Sequence, residues 1–140
     1  MKSLIAILTV LTSMSVFADV CQIKPSGVIK DNGIFENINV WSLKKGDETV
    51  KDYTLHDIDL SKAISERNAL ISAGLCQEEL LLEKCKVEIE RHDSHAYVFI
   101  YIGQTKAMAF GGQSEFDLHS LDVAAEHMDK LTNAAICSRN

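Results

Sequence analysis

Basic residues are scarce in this chain and never cluster. Fourteen Lys and Arg face 20 Asp and Glu, for a formal charge of −6. The one basic pair, Lys44-Lys45, runs straight into Gly46-Asp47 and reads as a solvated turn. An acidic chain without a basic patch argues against nucleic acid or an anionic membrane as partner. Asn-x-Ser/Thr sequons are absent, as is any C-x-x-C pair of the kind thiolate metal sites use. There is no glycine-rich phosphate loop, no H-E-x-x-H and no dinucleotide fingerprint. Gly112-Gln113-Ser114-Glu115-Phe116 starts like a nucleophile elbow but carries Phe where the second glycine is required. Beyond residue 18 no stretch is apolar for long enough to span a bilayer.

What is present begins with a targeting segment. Lys2 supplies the positive start, residues 4–10 the apolar run, and Val16-Phe17-Ala18 ends it with small residues at the positions that a signal peptidase reads. The run is interrupted by Thr9, Thr12, Ser13 and Ser15, which disfavours a spanning helix. Asp19-Val20 before Cys21 lacks the small residue that lipidation requires. Residues 1–18 are therefore expected to be a cleaved signal peptide and 19–140 one domain, without membrane insertion once the signal is gone. Removing 1–18 from 140 residues leaves 122, enough for one core, and moves the charge from −6 to −7 because one Lys goes with it. All four cysteines, Cys21, Cys76, Cys85 and Cys137, lie in that part. An even count in an exported chain implies two disulfides, with three connectivities open. The close pair flanks one crossover and the far pair sits at the two ends, so the expected bridges are Cys76–Cys85 and Cys21–Cys137.

AYVFIYIG, residues 96–103, is the segment that organises the rest. It is uncharged and rich in β-branched and aromatic residues, the composition of a strand covered on both faces. Val98, Ile100 and Ile102 take one face and Tyr97, Phe99 and Tyr101 the other. Upstream, the alternation from Cys85 to Glu90 pairs Ile89 with Val98, Val87 with Ile100 and Cys85 with Ile102 across the turn at 92–95. Downstream, Gly103-Gln104 suits a type II′ turn, with Ile100 opposite Ala107 and Phe99 opposite Met108. That register gives Tyr97, Phe99, Tyr101, Met108 and Phe110 a common aromatic face.

Earlier residues read as an antiparallel meander: a strand near 20–24 stopped by Pro25-Ser26-Gly27, a hairpin around Asn32-Gly33, and a strand over 48–56. Helical periodicity covers 59–74, with Asp59 as N-cap, Gly74 at C′ and Arg67 expected to lie on the core with its head in water. Residues 77–84 read as a short helical turn or an irregular strand start. A loop is expected over 110–114, then a second helix over 120–137 capped by Ser120, with its small alanines lying close to Ala107 and Ala109. The fold class is thus α+β: an antiparallel sheet of about five to six strands, two helices and two disulfides.

Two clusters are candidate sites. His92-Asp93-Ser94-His95 could hold a divalent metal if His56-Asp57, Asp117 or His119 supplied further ligands, which would make the chain a small metal-dependent hydrolase. A polar hairpin tip is the plainer reading. The aromatic face of Tyr97, Phe99, Tyr101, Met108 and Phe110 is a binding surface if nothing covers it, and core if something does. No cofactor is implied. The leading expectation is a non-enzymatic binding or accessory protein of the periplasm or exterior, with another protein or a small ligand as partner. A structural component of an envelope assembly is the further alternative.

Overall fold

A computed structural model describes residues 19–31, 33–55 and 60–139. The segment read as a signal peptide, Asn32, and the Asp59 cap with His56-Asp57 lie outside those residues. Among the described residues, seven strands and two helices are arranged in the order β1 (Val20–Asp31), β2 (Ile34–Lys45), β3 (Glu48–Leu55), α1 (Ser61–Ser72), β4 (Gln77–Glu78), β5 (Cys85–His92), β6 (His95–Ile102), β7 (Thr105–Gln113) and α2 (Leu118–Asn133). The class is α+β, with two helices and two disulfides. The strands are shared between two sheets, ordered β3-β2-β1-β4 and β5-β6-β7. No helix among the described residues is long and apolar enough to cross a membrane.

The N-terminal meander is present, antiparallel from β1 to β2 to β3. Pro25 does not stop β1, however. The strand runs on through a register shift between Pro25 and Gly27 and another between Val28 and Lys30. A bulge is where a sheet tolerates a residue without an N–H, so the proline bends the strand instead of ending it. Of the two readings for 77–84 the strand is found, limited to residues 77–78. They pair parallel with Val20 and Cys21.

Every expected β5–β6 pair is present, including Val87 with Ile100 and Ile89 with Val98. The turn at Gly103 is two residues long, with Gly103 at φ +58. The β6–β7 register then departs from expectation. Tyr101 faces Lys106 but Ile100 faces Met108, which leaves Ala107 as an extra residue in the ladder. That single bulge reverses the faces of the residues beyond it. Met108 and Phe110 join the helix-side core, and it is Ala109 that packs with Tyr97 and Phe99. A second shift lets β7 continue to Gln113 where a loop is expected. Gly112 permits it: at φ +93 its Cα stands so close to the Tyr97 ring that an added Cβ would lie 3.0 Å from a ring carbon.

The helices end earlier and start differently than their patterns imply. Gly74 N–H reaches Ile71 O at 3.0 Å and Leu75 N–H reaches Leu70 O at 3.1 Å, so the expected Schellman closure of α1 is made. Asp117, not Ser120, caps α2, accepting from the His119 N–H at 2.9 Å. Ser120 lies inside the first turn, buried to 8 % exposure. Arg67 is only 7 % exposed, so the side chain expected to keep its head in water is largely buried. Its Nη2 donates to the Ala134 carbonyl at 2.8 Å, at the C-terminal end of α2. A cation there meets the negative end of the helix dipole.

Disulfides join Cys21 to Cys76 and Cys85 to Cys137, so the expected pairing is corrected. The cause is local strand pairing. The β4 contact sets Cys76 beside Cys21, with the Gln77 N–H on Asp19 O at 2.8 Å. At the other end the Cys85 N–H donates to Ser138 O at 2.8 Å and the Ser138 N–H to Glu83 O at 3.0 Å, which sets Cys137 beside Cys85.

Candidate functional site

Helix α1 rests on β1, whereas α2 rests on the Val98–Ile100 side of β5, β6 and β7. The two helices sit on different sheets, and the core between them is closed below but open to the outside. The result is a groove of about 530 Å³, well within the range of about 300–1,000 Å³ for small-molecule sites. Leu60 and Ile64 wall it from the α1 side, Met108 forms part of its floor, and Leu131, Ala134 and Ile136 wall it from the α2 side. Its polar lining is Ser61, His127, Lys130 and Asn133. The Arg67 bond to the Ala134 carbonyl fixes that residue of the lining, and burial holds the Arg67 guanidinium below its ordinary pKa against the pull of Glu78.

His127 reaches the groove from the middle of α2. Its Nδ1 lies 2.9 Å from the Val123 carbonyl, and its ring centroid is 5.2 Å from that of Phe110. A carbonyl only accepts, so Nδ1 carries the proton and Nε2 is the nitrogen left for a ligand. Lys130 comes three residues later. Its ammonium rests on Glu126 at 3.0 Å, both side chains well exposed.

On the opposite side of β6 the aromatic face is covered. Phe35 stands edge-on to Tyr97 at 5.1 Å and to Phe99 at 5.0 Å, and Val28 packs beside it. The Phe35 N–H also donates to the Tyr97 hydroxyl at 3.2 Å. Tyr97 and Phe99 are 1 % and 0 % exposed. This face is core, closed by the outer part of the β1–β2 hairpin, and Met108 and Phe110 are not on it.

No protein-family model, curated protein or solved structure matches the chain.

At the edge of the covered face, Lys106 occupies a cage. Its Nζ lies 4.4 Å from the Phe99 centroid and 5.1 Å from that of Phe35, 3.5 Å from Glu90 Oε2 and 3.4 Å from His92 Nε2. The Tyr101 hydroxyl donates to the same Glu90 oxygen at 2.7 Å. Burial works to raise the Glu90 carboxyl, but Tyr101, Lys106 and His92 outweigh it and hold it below the usual carboxylate range. Burial, then Glu90, pushes the Tyr101 hydroxyl up. His92 thus turns one nitrogen toward an ammonium, while His95 Nδ1 is buried with no partner among the described residues. Asp117 is engaged in capping α2, and among the described residues no three His, Cys, Asp or Glu side chains gather at one point.

Of the five aromatic-face residues, Met108 alone lines the groove, placed there by the bulge at Ala107. Ile64 and Leu131 are readable as parts of apolar helical stripes, but periodicity alone does not say that two stripes face one another across a gap. Lys130 reads as facing away from the core, and His127 as a weak partner of His119. Their spacing of three puts both basic residues on one face of α2, and the helix packing makes that face a wall of the groove.

Proposed function

We propose that the chain is an exported, disulfide-stapled binding or accessory domain, and that the groove between α1 and α2 is where it holds its ligand. The observation that carries this reading is the groove itself, an opening of about 530 Å³ whose walls are mostly aliphatic. Open apolar concavities with a few convergent polar groups are the usual form of ligand sites. Export is supported by the leader-like residues 1–18 and by two disulfides, which persist in oxidising compartments. The periplasm or the exterior would be its place of action.

The test is uptake of 1-anilinonaphthalene-8-sulfonate, whose emission rises in apolar sites, by the secreted protein with both bridges formed. Ile64→Trp fills the groove from one wall and Asn133→Trp from the other. Each should abolish most of the emission gain while leaving the circular dichroism and melting temperature close to wild type. Unchanged emission in both folded variants would refute the groove as the binding element.

A further inference from the structure

We infer that the groove takes a single-chain amphiphile with an anionic head, of the kind represented by a free medium-chain carboxylate. This rests on the groove being the ligand site and adds the class of ligand. Among the described residues the lining has a charge bias opposite to that of the chain. Across the sequence acids outnumber bases by 20 to 14, yet the described groove lining contains Lys130 and His127 and no carboxylate. An acyl chain suits the Leu60, Ile64, Met108, Leu131 and Ile136 surfaces, since it needs burial and offers no hydrogen bonds.

Both basic groups are able to turn to a head group. Lys130 and His127 are three apart on α2 and therefore on one face. The Lys130–Glu126 pair is exposed on both sides, at 64 % and 66 %, and pairs of that kind hold weakly. The ammonium exchanges it for a ligand carboxylate that is partly withdrawn from water. With Nδ1 committed to Val123 O, His127 Nε2 is the atom that donates to the carboxylate as imidazolium, or accepts the hydrogen of the neutral acid. Asn133 and Ser61 supply neutral polar edges to the same opening.

The experiment compares decanoate with decan-1-ol, which has the same chain and no charge, by isothermal titration with the secreted, disulfide-bonded protein. Decanoate should bind at least tenfold more tightly than the alcohol. Lys130→Gln combined with His127→Gln should remove that preference while leaving alcohol binding within twofold, and Ile64→Trp should remove both. Equal binding of alcohol and carboxylate, or tighter binding of decylamine, would overturn the anionic preference and leave the groove as the ligand site. Failure of every probe, the naphthalene sulfonate included, would overturn the groove with it. A sedimentation-velocity dimer that Ile64→Trp dissolves would assign the groove to a second copy of the chain and also overturn the proposal.

Discussion

Of the two non-glycine residues at positive φ among the described residues, Asp93 and Ala135, it is Ala135 whose side chain tolerates that region less. It closes α2 at φ +54, with its N–H on Thr132 O at 3.1 Å and the Ile136 N–H on Leu131 O at 3.0 Å. Gly74 performs the same closure for α1 at φ +74. An L-residue in that region carries strain of about 1–2 kcal/mol, whereas glycine carries mainly an entropic cost of about 0.5–1 kcal/mol. Ala135→Gly should therefore stabilise the domain by about 0.5–1 kcal/mol, read as a higher urea midpoint at unchanged slope. A lower midpoint would mean that the turn is not strained. The contrast also explains why one helix end is readable from sequence and the other is not. Gly74 announces a helix end, because glycine is the usual C′ residue. Ala134-Ala135 reads as continuing helix, which is why the second helix is expected to run on to 137. Arg67 misleads for a related reason: its sequence position shows an apolar neighbourhood but not the carbonyl of Ala134, contributed from 67 residues away.

Elements are legible where their two faces differ. Strand β5 alternates apolar with charged residues, so only one register with β6 keeps its charges off the core, and that register is found. In β7 the residues Ala107, Met108, Ala109 and Phe110 are apolar in either phase, so a one-residue bulge has no sequence signature. The same ambiguity hides the cover of the aromatic face, because nothing in residues 28–35 says that a hairpin folds back over β6. Phe35 is the side chain that anchors it, packed edge-on against Tyr97, Phe99 and His92. Truncating it should cost about 2–3 kcal/mol, at or just below the lower end for a fully buried phenylalanine. Phe35→Ala should also raise amide exchange across residues 27–40 well before β5 and β6 lose protection. A loss under about 0.5 kcal/mol with exchange unchanged would show that the hairpin is held by something other than this ring.

At the scale of the whole molecule, the bridges divide the chain into two consecutive loops, 21–76 and 85–137, with neither enclosing the other. The pairing expected from spacing nests one loop in the other, and it fails because two short backbone contacts outweigh any argument from sequence distance. The first loop contains β1, β2, β3 and α1; the second contains β5, β6, β7 and α2. Each sheet-and-helix unit is thus closed on itself, and the two are held together by their shared core and by the Arg67–Ala134 bond. The groove lies on that junction, so it depends on both closures without being crossed by either. Cys85→Ser with Cys137→Ser releases a constraint across 52 residues, and Cys21→Ser with Cys76→Ser one across 55. Chain-entropy reasoning gives each loss about 4 kcal/mol as an upper estimate. Similar destabilisation from the two pairs is the expected result, with probe uptake by the groove weakened in the 85/137 variant, whose α2 wall is no longer tethered at its end. Non-reducing peptide maps of the wild-type protein supply the decisive check: they should yield a 21–76 and an 85–137 peptide. A 21–137 peptide would mean that the chain closes as one nested loop and that the two walls of the groove are set by its termini.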